Sequence, residues 1–289
     1  MITWLASYPR SGNTLLRIIL NDVFGVGTYS RYDDPIDIGS SPELTDAVGH
    51  RSLGGKWKER YAQMAAADEQ FFVKTHDLEP GDHPCIYIVR NGMAAINSHR
   101  KYLSDFRDKQ YPLEAVILGM VSRFSSWGSH LDNWNPMERK KTLLLKYEDL
   151  LSASEQAIQK IETFCGLERK SAWTNDFSKF HRLNPQFFRK GQAEVTRSEW
   201  SPSEISLFYA LHGDWMQKLE YDTSARLDSR DYKNLRQALA VENEVLQSTQ
   251  ARLTAAEAAL ERMKLKLRGR SQLPRKAQIW RENAKRTGS

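Results

Sequence analysis

The chain has 289 residues, 40% hydrophobic and 27% charged. That composition supports one substantial α/β core or two modest ones, and no apolar run is long enough to cross a bilayer. Its net charge of +6 is unevenly placed: residues 264–289 hold nine Lys/Arg against one Glu and residues 229–263 hold five of each sign, leaving residues 1–228 at −2, which argues against a broad nucleic-acid face on the body, and no nucleic-acid partner is expected.

Residues 2–7, ITWLAS, form a nearly continuous apolar run, the pattern of a strand covered on both faces. No basic leader or small-residue cleavage site precedes it, and a cytoplasmic location is expected. A polar turn, YPRSGNT, leads into a helix pattern over 13–23. Residues 24–69, rich in Gly, Asp, Ser and Pro and ending in an Ala-rich segment, predict a long, partly helical excursion over the carboxyl edge of the sheet. Strand patterns follow at 70–76 (QFFVKTH), 85–90 (CIYIVR) and 142–148 (TLLLKYE). Helices are predicted at 92–103, 113–131, 153–165 and 203–218, the last starting at Ser201 and Ser203 with Glu204 in its first turn. The alternation predicts an α/β fold, a three-layer sandwich around a central parallel sheet with a P-loop-like phosphate-binding loop.

Cys85 falls in a predicted strand and Cys165 late in a predicted helix. Each reads as small buried filler rather than half of a disulfide, which fits a reducing compartment. His76, His83 and His99 are scattered among non-ligand residues and the cysteines lack zinc spacing, so no metal is expected. After Tyr221, Leu239, Leu246, Leu253, Leu260 and Leu267 recur every seven residues, with Leu235, Glu242, Thr249, Ala256 and Met263 between them. One good heptad row beside one poor one predicts a C-terminal helix, either a coiled coil that joins copies into a homo-oligomer or a lone solvated helix. In the basic end, Ile279 and Trp280 lie among Arg275, Lys276, Arg281, Lys285 and Arg286. That pattern suits peripheral contact with an anionic membrane, or simply a solvated tail.

Three segments carry chemistry. If helix 13–23 begins near Gly12, the amides of Ser11, Gly12, Asn13 and Thr14 converge on one anion, reinforced by the helix dipole. The loop lacks the Gly-Lys-Ser/Thr ending of nucleoside-triphosphate loops. Arg10, on its entry side, either meets a group beyond the cradled phosphate or is merely solvated. The KTH strand end delivers Lys74 as a cation and His76 as an imidazole suited to removing a hydroxyl proton at neutral pH. Arg90 ends a strand and Ser98 lies two turns into the next helix; both can hold a second phosphate, or Arg90 pairs with a carboxylate and Ser98 faces a neighbouring helix.

Together these segments resemble the sulfotransferases that use 3′-phosphoadenosine 5′-phosphosulfate (PAPS), a donor with two separate anionic ends. YPRSGNT is similar to the family's 5′-phosphosulfate loop, with Arg10 where its cytosolic members have lysine; KTH matches the catalytic histidine motif; Arg90 and Ser98 match the 3′-phosphate motif. FFRKG at 187–191 resembles the late motif that wraps the 3′-phosphate, KYEDL places Tyr147 against adenine, and the run from Trp200 also fits. The resemblance covers residues 2–221. It implies a sulfotransferase domain over 1–223, followed by a helical segment over 224–268 and a basic tail over 269–289.

What the resemblance implies is in-line sulfuryl transfer to an acceptor hydroxyl or amine, without metal, leaving adenosine 3′,5′-bisphosphate (PAP). His76 would be the base, helped by Arg10 and Lys74. Donor contacts would come from Arg10, Ser11, Gly12, Asn13, Thr14, Arg90, Ser98, Tyr147, Phe177, Arg189, Lys190 and Gly191. The sequence departs from the family in Leu15, where a tryptophan contacts adenine and for which Phe177 is the expected substitute. It departs again in Asp77, where KTH continues as Leu-Pro. The acceptor, a small molecule, carbohydrate or lipid, is expected to meet residues 24–69 and 104–120, with Trp57, Tyr61 and Phe106 available for stacking. The competing readings are a small-molecule kinase, which would want a loop lysine and a magnesium-binding acid, and a non-catalytic nucleotide-binding scaffold.

Overall fold

Five short strands, all parallel, build the sheet in the order β2-β3-β1-β4-β5: β1 is Ile2–Ser7, β2 Thr28–Ser30, β3 Phe71–Thr75, β4 Cys85–Val89 and β5 Thr142–Lys146. The computed structural model describes residues 1–32, 42–79, 81–174 and 199–224, together with residues 178, 181 and 182 and seven helical positions between 244 and 257. The chain divides into two compact units, Met1–Leu227 and Asp228–Ser289. In the second, the described positions Glu244, Gln247, Ser248, Gln250, Ala251, Thr254 and Glu257 are helical and exposed. The leucine row and the basic tail lie outside the described residues.

All six residues of β1 and all five of β4 are buried, as expected for strands with helices on both faces. Among the described residues those helices are α1 (Asn13–Phe24), α2 (Pro42–Val48), α3 (Trp57–Ala66), α4 (Gly92–Arg107), α5 (Leu113–Ile117), α6 (Trp127–Trp134), α7 (Tyr147–Leu151), α8 (Glu155–Cys165) and α9 (Pro202–Lys218). One core joins Leu5 of β1 and Ile86 and Ile88 of β4 to the apolar faces of α1 and α8. α9 begins with the predicted capping box, in which the Ser201 hydroxyl accepts from the Glu204 amide and the Glu204 carboxylate accepts from the Ser201 amide. Cys85 is fully buried, Cys165 is partly buried against the core, and both are thiols, with burial pushing each up to about 12.

Three predicted elements need correction. The 24–69 segment is more than an excursion, because its residues 28–30 add the edge strand β2 alongside β3. Arg17 of α1 explains why so short and polar a strand holds. Its guanidinium is wholly buried, donating to the Thr28 hydroxyl at 2.8 Å and meeting His50 Nδ1 at 2.8 Å, and a buried cation keeps its place only with such partners. The helix predicted over 113–131 is two helices, α5 and α6. Gly119 ends the first in the left-handed region at φ 76°, with its amide on the Val116 carbonyl and the Met120 amide on the Ala115 carbonyl. Ser126 then caps the second through the Ser129 amide. Finally, the predicted strand 142–148 stops at Lys146, and Tyr147 opens α7.

The register positions the site. Ala6 pairs with both Thr75 and Tyr87, Ser7 with Ile88, and Val89 with Lys146, so β1, β3, β4 and β5 release their chains at one edge. The turn at 8–12, His76, Arg90 and Tyr147 emerge there together, at the carboxyl edge where open parallel sheets place ligands.

The α5–α6 break sets a stability prediction. A Cβ at Gly119 would stand 2.2 Å from the Ser126 amide nitrogen, a backbone atom. Gly119→Ala should cost ~2 kcal/mol or more, read as a fall in Tm of about 4–8 °C in a thermal melt.

Candidate active site

The turn between β1 and α1 leaves the first amides of the helix without a side-chain cap. Arg10 and Gly12 both adopt left-handed backbone, at φ 64° and 107°, and the Ser11 amide closes a turn on the Tyr8 carbonyl. Gly12 precedes α1 as its cap residue and offers no side chain to the helix amides, which leaves those N–H groups to a ligand. The Ser11 hydroxyl is buried without a hydrogen-bond partner among the described residues. Asn13 turns inward instead, donating to the Leu5 carbonyl at 2.7 Å and so fixing where the helix starts relative to β1. An orphaned buried hydroxyl, uncapped amides and a glycine at the approach fit a bound phosphate group.

Tyr147 covers this turn. Its ring leaves no room for any side chain at Gly12, where a Cβ would stand 2.5 Å from Tyr147 Cδ2. On the ring's other partner, the Arg90 guanidinium lies 4.5 Å from the ring centre, a cation–π distance. Arg90 also donates to the Arg10 carbonyl at 3.1 Å, and Arg10 donates through Nε to Ser98 at 3.4 Å while lying 5.2 Å over Tyr102. The structure thus gathers Arg10, Gly12, Arg90, Ser98 and Tyr147 into one cationic cluster between β1, β4, α4 and α7. Arg10 stands with the Arg90–Ser98 pair, turned onto α4. Next to it, burial together with the Arg10 charge brings His99 down to about 4, so this imidazole adds no charge at neutral pH.

At the end of β3, Lys74 is 7% exposed and His76 is partly buried. His76 Nδ1 lies 2.7 Å from the Ser7 carbonyl oxygen. A carbonyl only accepts, so Nδ1 carries the proton and Nε2 is the basic nitrogen of the neutral ring. The His76 carbonyl accepts from His130 Nε2 at 2.8 Å, and His130 Nδ1 accepts from the Tyr87 hydroxyl at 2.7 Å. Burial holds His130 down to about 4, so this prop beneath the strand end is neutral.

Spacing gave no sign of the groups that surround the His76 ring. Tyr32 stacks on it at 5.9 Å and 14° and Phe124 meets it edge-on at 5.4 Å. Arg123 lies 5.4 Å from the Tyr32 ring and 5.1 Å from that of Phe124. Two of the residues expected to stack on an acceptor lie elsewhere. Tyr61 packs on Trp4 and His83, and Trp4 pairs with Cys85, the first residue of β4, so that cluster sits toward the amino side of the sheet. Phe106 packs on Tyr102 and the core. Trp57 touches Trp4 and Tyr61, with the Arg31 guanidinium 5.9 Å from its ring. Phe177, Arg189, Lys190 and Gly191 lie outside the described residues.

The contact between Gly12 and Tyr147 is directly testable. Gly12→Ala must either displace the Tyr147 ring or distort the turn, and PAP measured by calorimetry should bind at least ~10-fold more weakly; unchanged affinity would separate this turn from the anion site.

Comparison with known proteins agrees with this geometry. The family described as "Sulfotransferase domain" matches residues 2–237. The chain is 24% identical over 201 residues to a 3-alpha-hydroxysteroid sulfotransferase of Cavia porcellus, covering 66% of this chain and 67% of that protein. In fold it is similar to a mouse sulfotransferase solved in complex with PAP, at a TM-score of 0.55 and 18% identity over 83% of this chain and 88% of the other. With the family matched across most of its length and the turn, strand end and sheet edge arranged as above, the chain belongs to the sulfotransferase domain family.

Proposed function

We propose that this sulfotransferase moves the sulfuryl group of PAPS onto a hydroxyl of a small-molecule acceptor, with His76 as the general base. The observation that carries the assignment of the base is the bond from His76 Nδ1 to the Ser7 carbonyl. It commits the ring to the tautomer whose Nε2 takes a proton, on the strand adjacent to the anion-binding turn.

The roles in this proposal combine position with the family's motifs. The uncapped amides of α1 and the Ser11 hydroxyl hold the 5′-phosphate end of the donor, and Arg90 and Ser98 hold the 3′-phosphate with Tyr147 beside the adenosine. Nε2 of His76 removes the acceptor proton as that oxygen attacks sulfur. The bond from sulfur to the bridging oxygen breaks, and PAP leaves with the electron pair. Lys74, buried at the end of β3, offsets the charge gathering on the sulfuryl and bridging oxygens; Arg10 joins it on the sequence pattern alone, by leaving Ser98, on which it rests in the structure. Preorganised positive groups of this kind commonly supply much of the barrier reduction. The acceptor of the Cavia porcellus relative is named as a hydroxysteroid, which supports hydroxyl over amine here. Donor contacts from Phe177, Arg189, Lys190 and Gly191, a cytoplasmic location, pairing of copies through the C-terminal helix and contact of the basic tail with anionic membrane belong to the same proposal on the sequence pattern alone.

The two halves of the site separate experimentally. His76→Ala should bind PAP as tightly as the parent while its sulfation rate, measured with labelled PAPS and mixed extracts, falls ~10²- to 10⁴-fold; near-parental turnover would remove His76 from the chemistry. Arg90→Ala should instead weaken PAP by ~10-fold or more while leaving adenosine 5′-phosphate binding little changed. Equal losses for both nucleotides would reject a second anion site at Arg90.

A further inference from the structure

Asp77 directly follows His76, at the position where KTH continues differently in the family it resembles. Its carboxylate is a junction of three chain segments. One oxygen, Oδ2, accepts from the Tyr32 hydroxyl at 3.0 Å, from Arg123 Nη2 at 2.9 Å and from Arg31 Nη1. Arg31 and Tyr32 follow β2, and Arg123 belongs to the connection between α5 and α6. Both segments are thereby fastened to the end of β3.

The fastening is reciprocal at Tyr32. Its hydroxyl gives its proton to Asp77 and accepts from the backbone amides of His76 at 2.8 Å and Asp77 at 3.1 Å. All of its hydrogen-bonding capacity is used within this junction, and the ring is held parallel to the His76 imidazole. Burial raises Tyr32 above the ordinary phenol range, which keeps it the donor. Arg31 is fixed a second time through Nε on Glu79 Oε1 at 2.5 Å, and Glu79 accepts from the Thr75 hydroxyl at 3.0 Å. On the other side, Arg123 lies over Tyr32 and Phe124, and Phe124 stands edge-on to His76. Without the carboxylate the Arg31 and Arg123 guanidiniums, 5.9 and 5.4 Å from the centre of the Tyr32 ring, lose the counter-charge they share.

We propose that Asp77 is a positioning residue for the acceptor: through Tyr32, Arg31 and Arg123 it fastens the two aromatic walls of the acceptor cleft onto His76. It rests on the assignment of His76 as the base of a sulfotransferase, and it adds the group that sets the shape of the cleft in front of that base. Asp77 acts through its neighbours and takes no part in bond making. The donor side shares none of these residues, so Asp77 governs acceptor capture and leaves PAP binding alone.

The test uses the full chain and two variants. Asp77→Asn keeps the size and one acceptor for Tyr32 but removes the charge. Arg123→Ala removes only the exposed half of one ion pair, its side chain being 61% exposed, so folding is not at stake. The first measurement is hydrogen exchange of the unliganded protein. Both variants should speed exchange of the 118–126 amides by ~10-fold, with PAP affinity and exchange in β1 and β4 unchanged. Parental exchange at 118–126 in both variants would overturn the proposal without touching the sulfotransferase assignment. The second is sulfation of a mixed extract with labelled PAPS across a dilution series. Asp77→Asn should move the half-saturating dilution ~10-fold toward concentrated extract while the plateau changes less than ~3-fold. The double variant should lose no more than the worse single, since both act through one bond. A plateau loss with an unmoved half-saturation point, or additive losses, would overturn it. No incorporation by the parent protein would instead count against the proposed function, with the exchange experiment still deciding the role of Asp77.

Discussion

The release of four parallel strands at one edge is the constraint on which the site depends. Ala6 is paired to Thr75 on one side and Tyr87 on the other, and β1, β3 and β4 end at Ser7, Thr75 and Val89, so the segments that follow them start within two residues of one another along the sheet. Parallel pairing leaves little slack, because a one-residue slip would send every side chain of a strand to the opposite face. With β1, β3 and β4 buried on both faces, that slip costs core packing as well as hydrogen bonds. The Ser7 carbonyl is the last of β1 and meets the imidazole of the residue just past β3. The backbone ladder therefore sets the tautomer of His76, the proposed base, as well as its location.

The donor and acceptor sides are built from different materials. On the proposed donor side the groups offered to a ligand are backbone amides and one buried hydroxyl, set by Gly12 and by the Asn13 side chain locked on Leu5. The cations there are braced on fixed protein groups: Arg90 on the Arg10 carbonyl and over the Tyr147 ring, Arg10 on Ser98. Such groups need little rearrangement when an anion arrives, and this is what makes preorganised charge effective. A neutral imidazole braces each side. His99 beside Arg10 and His130 under the His76 carbonyl are each held near 4, chiefly by burial, so they support the site sterically and through hydrogen bonds without adding a proton-dependent charge.

Much of this was legible in the sequence because it rests on local chemistry. Four of the five strands announce themselves as apolar runs, and the turn at 8–14 is readable because anion binding at a helix start requires a glycine and small polar residues in a short span. The positions of His76, Lys74, Arg90 and Ser98 at one edge of the sheet are legible for the same reason, lying at strand ends or one helix face from them. β2 was not legible: three residues of mixed polarity carry no period, and the strand is held by Arg17, eleven positions earlier. The split at Gly119 was hidden because Val116, Ile117, Trp127 and Leu131 are all apolar and buried, which reads as one helix until backbone geometry is known. Tyr32 and Phe124 meet His76 from 44 and 48 positions away and Arg123 meets the Tyr32 ring from 91, and no spacing rule connects them.

That division has a consequence for how such a fold changes its acceptor. The donor turn belongs to β1 and α1, whose residues also form the centre of the core, so alterations there disturb folding and donor binding together. The walls around His76 come from segments at the margin of the fold, after the edge strand β2 and in the break between α5 and α6. They are joined by partly exposed polar contacts that contribute little to overall stability. Exchanging Tyr32, Phe124 or Arg123 alters the shape and charge in front of the base while the strand ladder, the imidazole tautomer and the anion-binding turn stay as they are. On the roles proposed for these residues, acceptor choice can drift at small thermodynamic cost, whereas donor recognition through backbone and core is held constant by the same forces that hold the sheet.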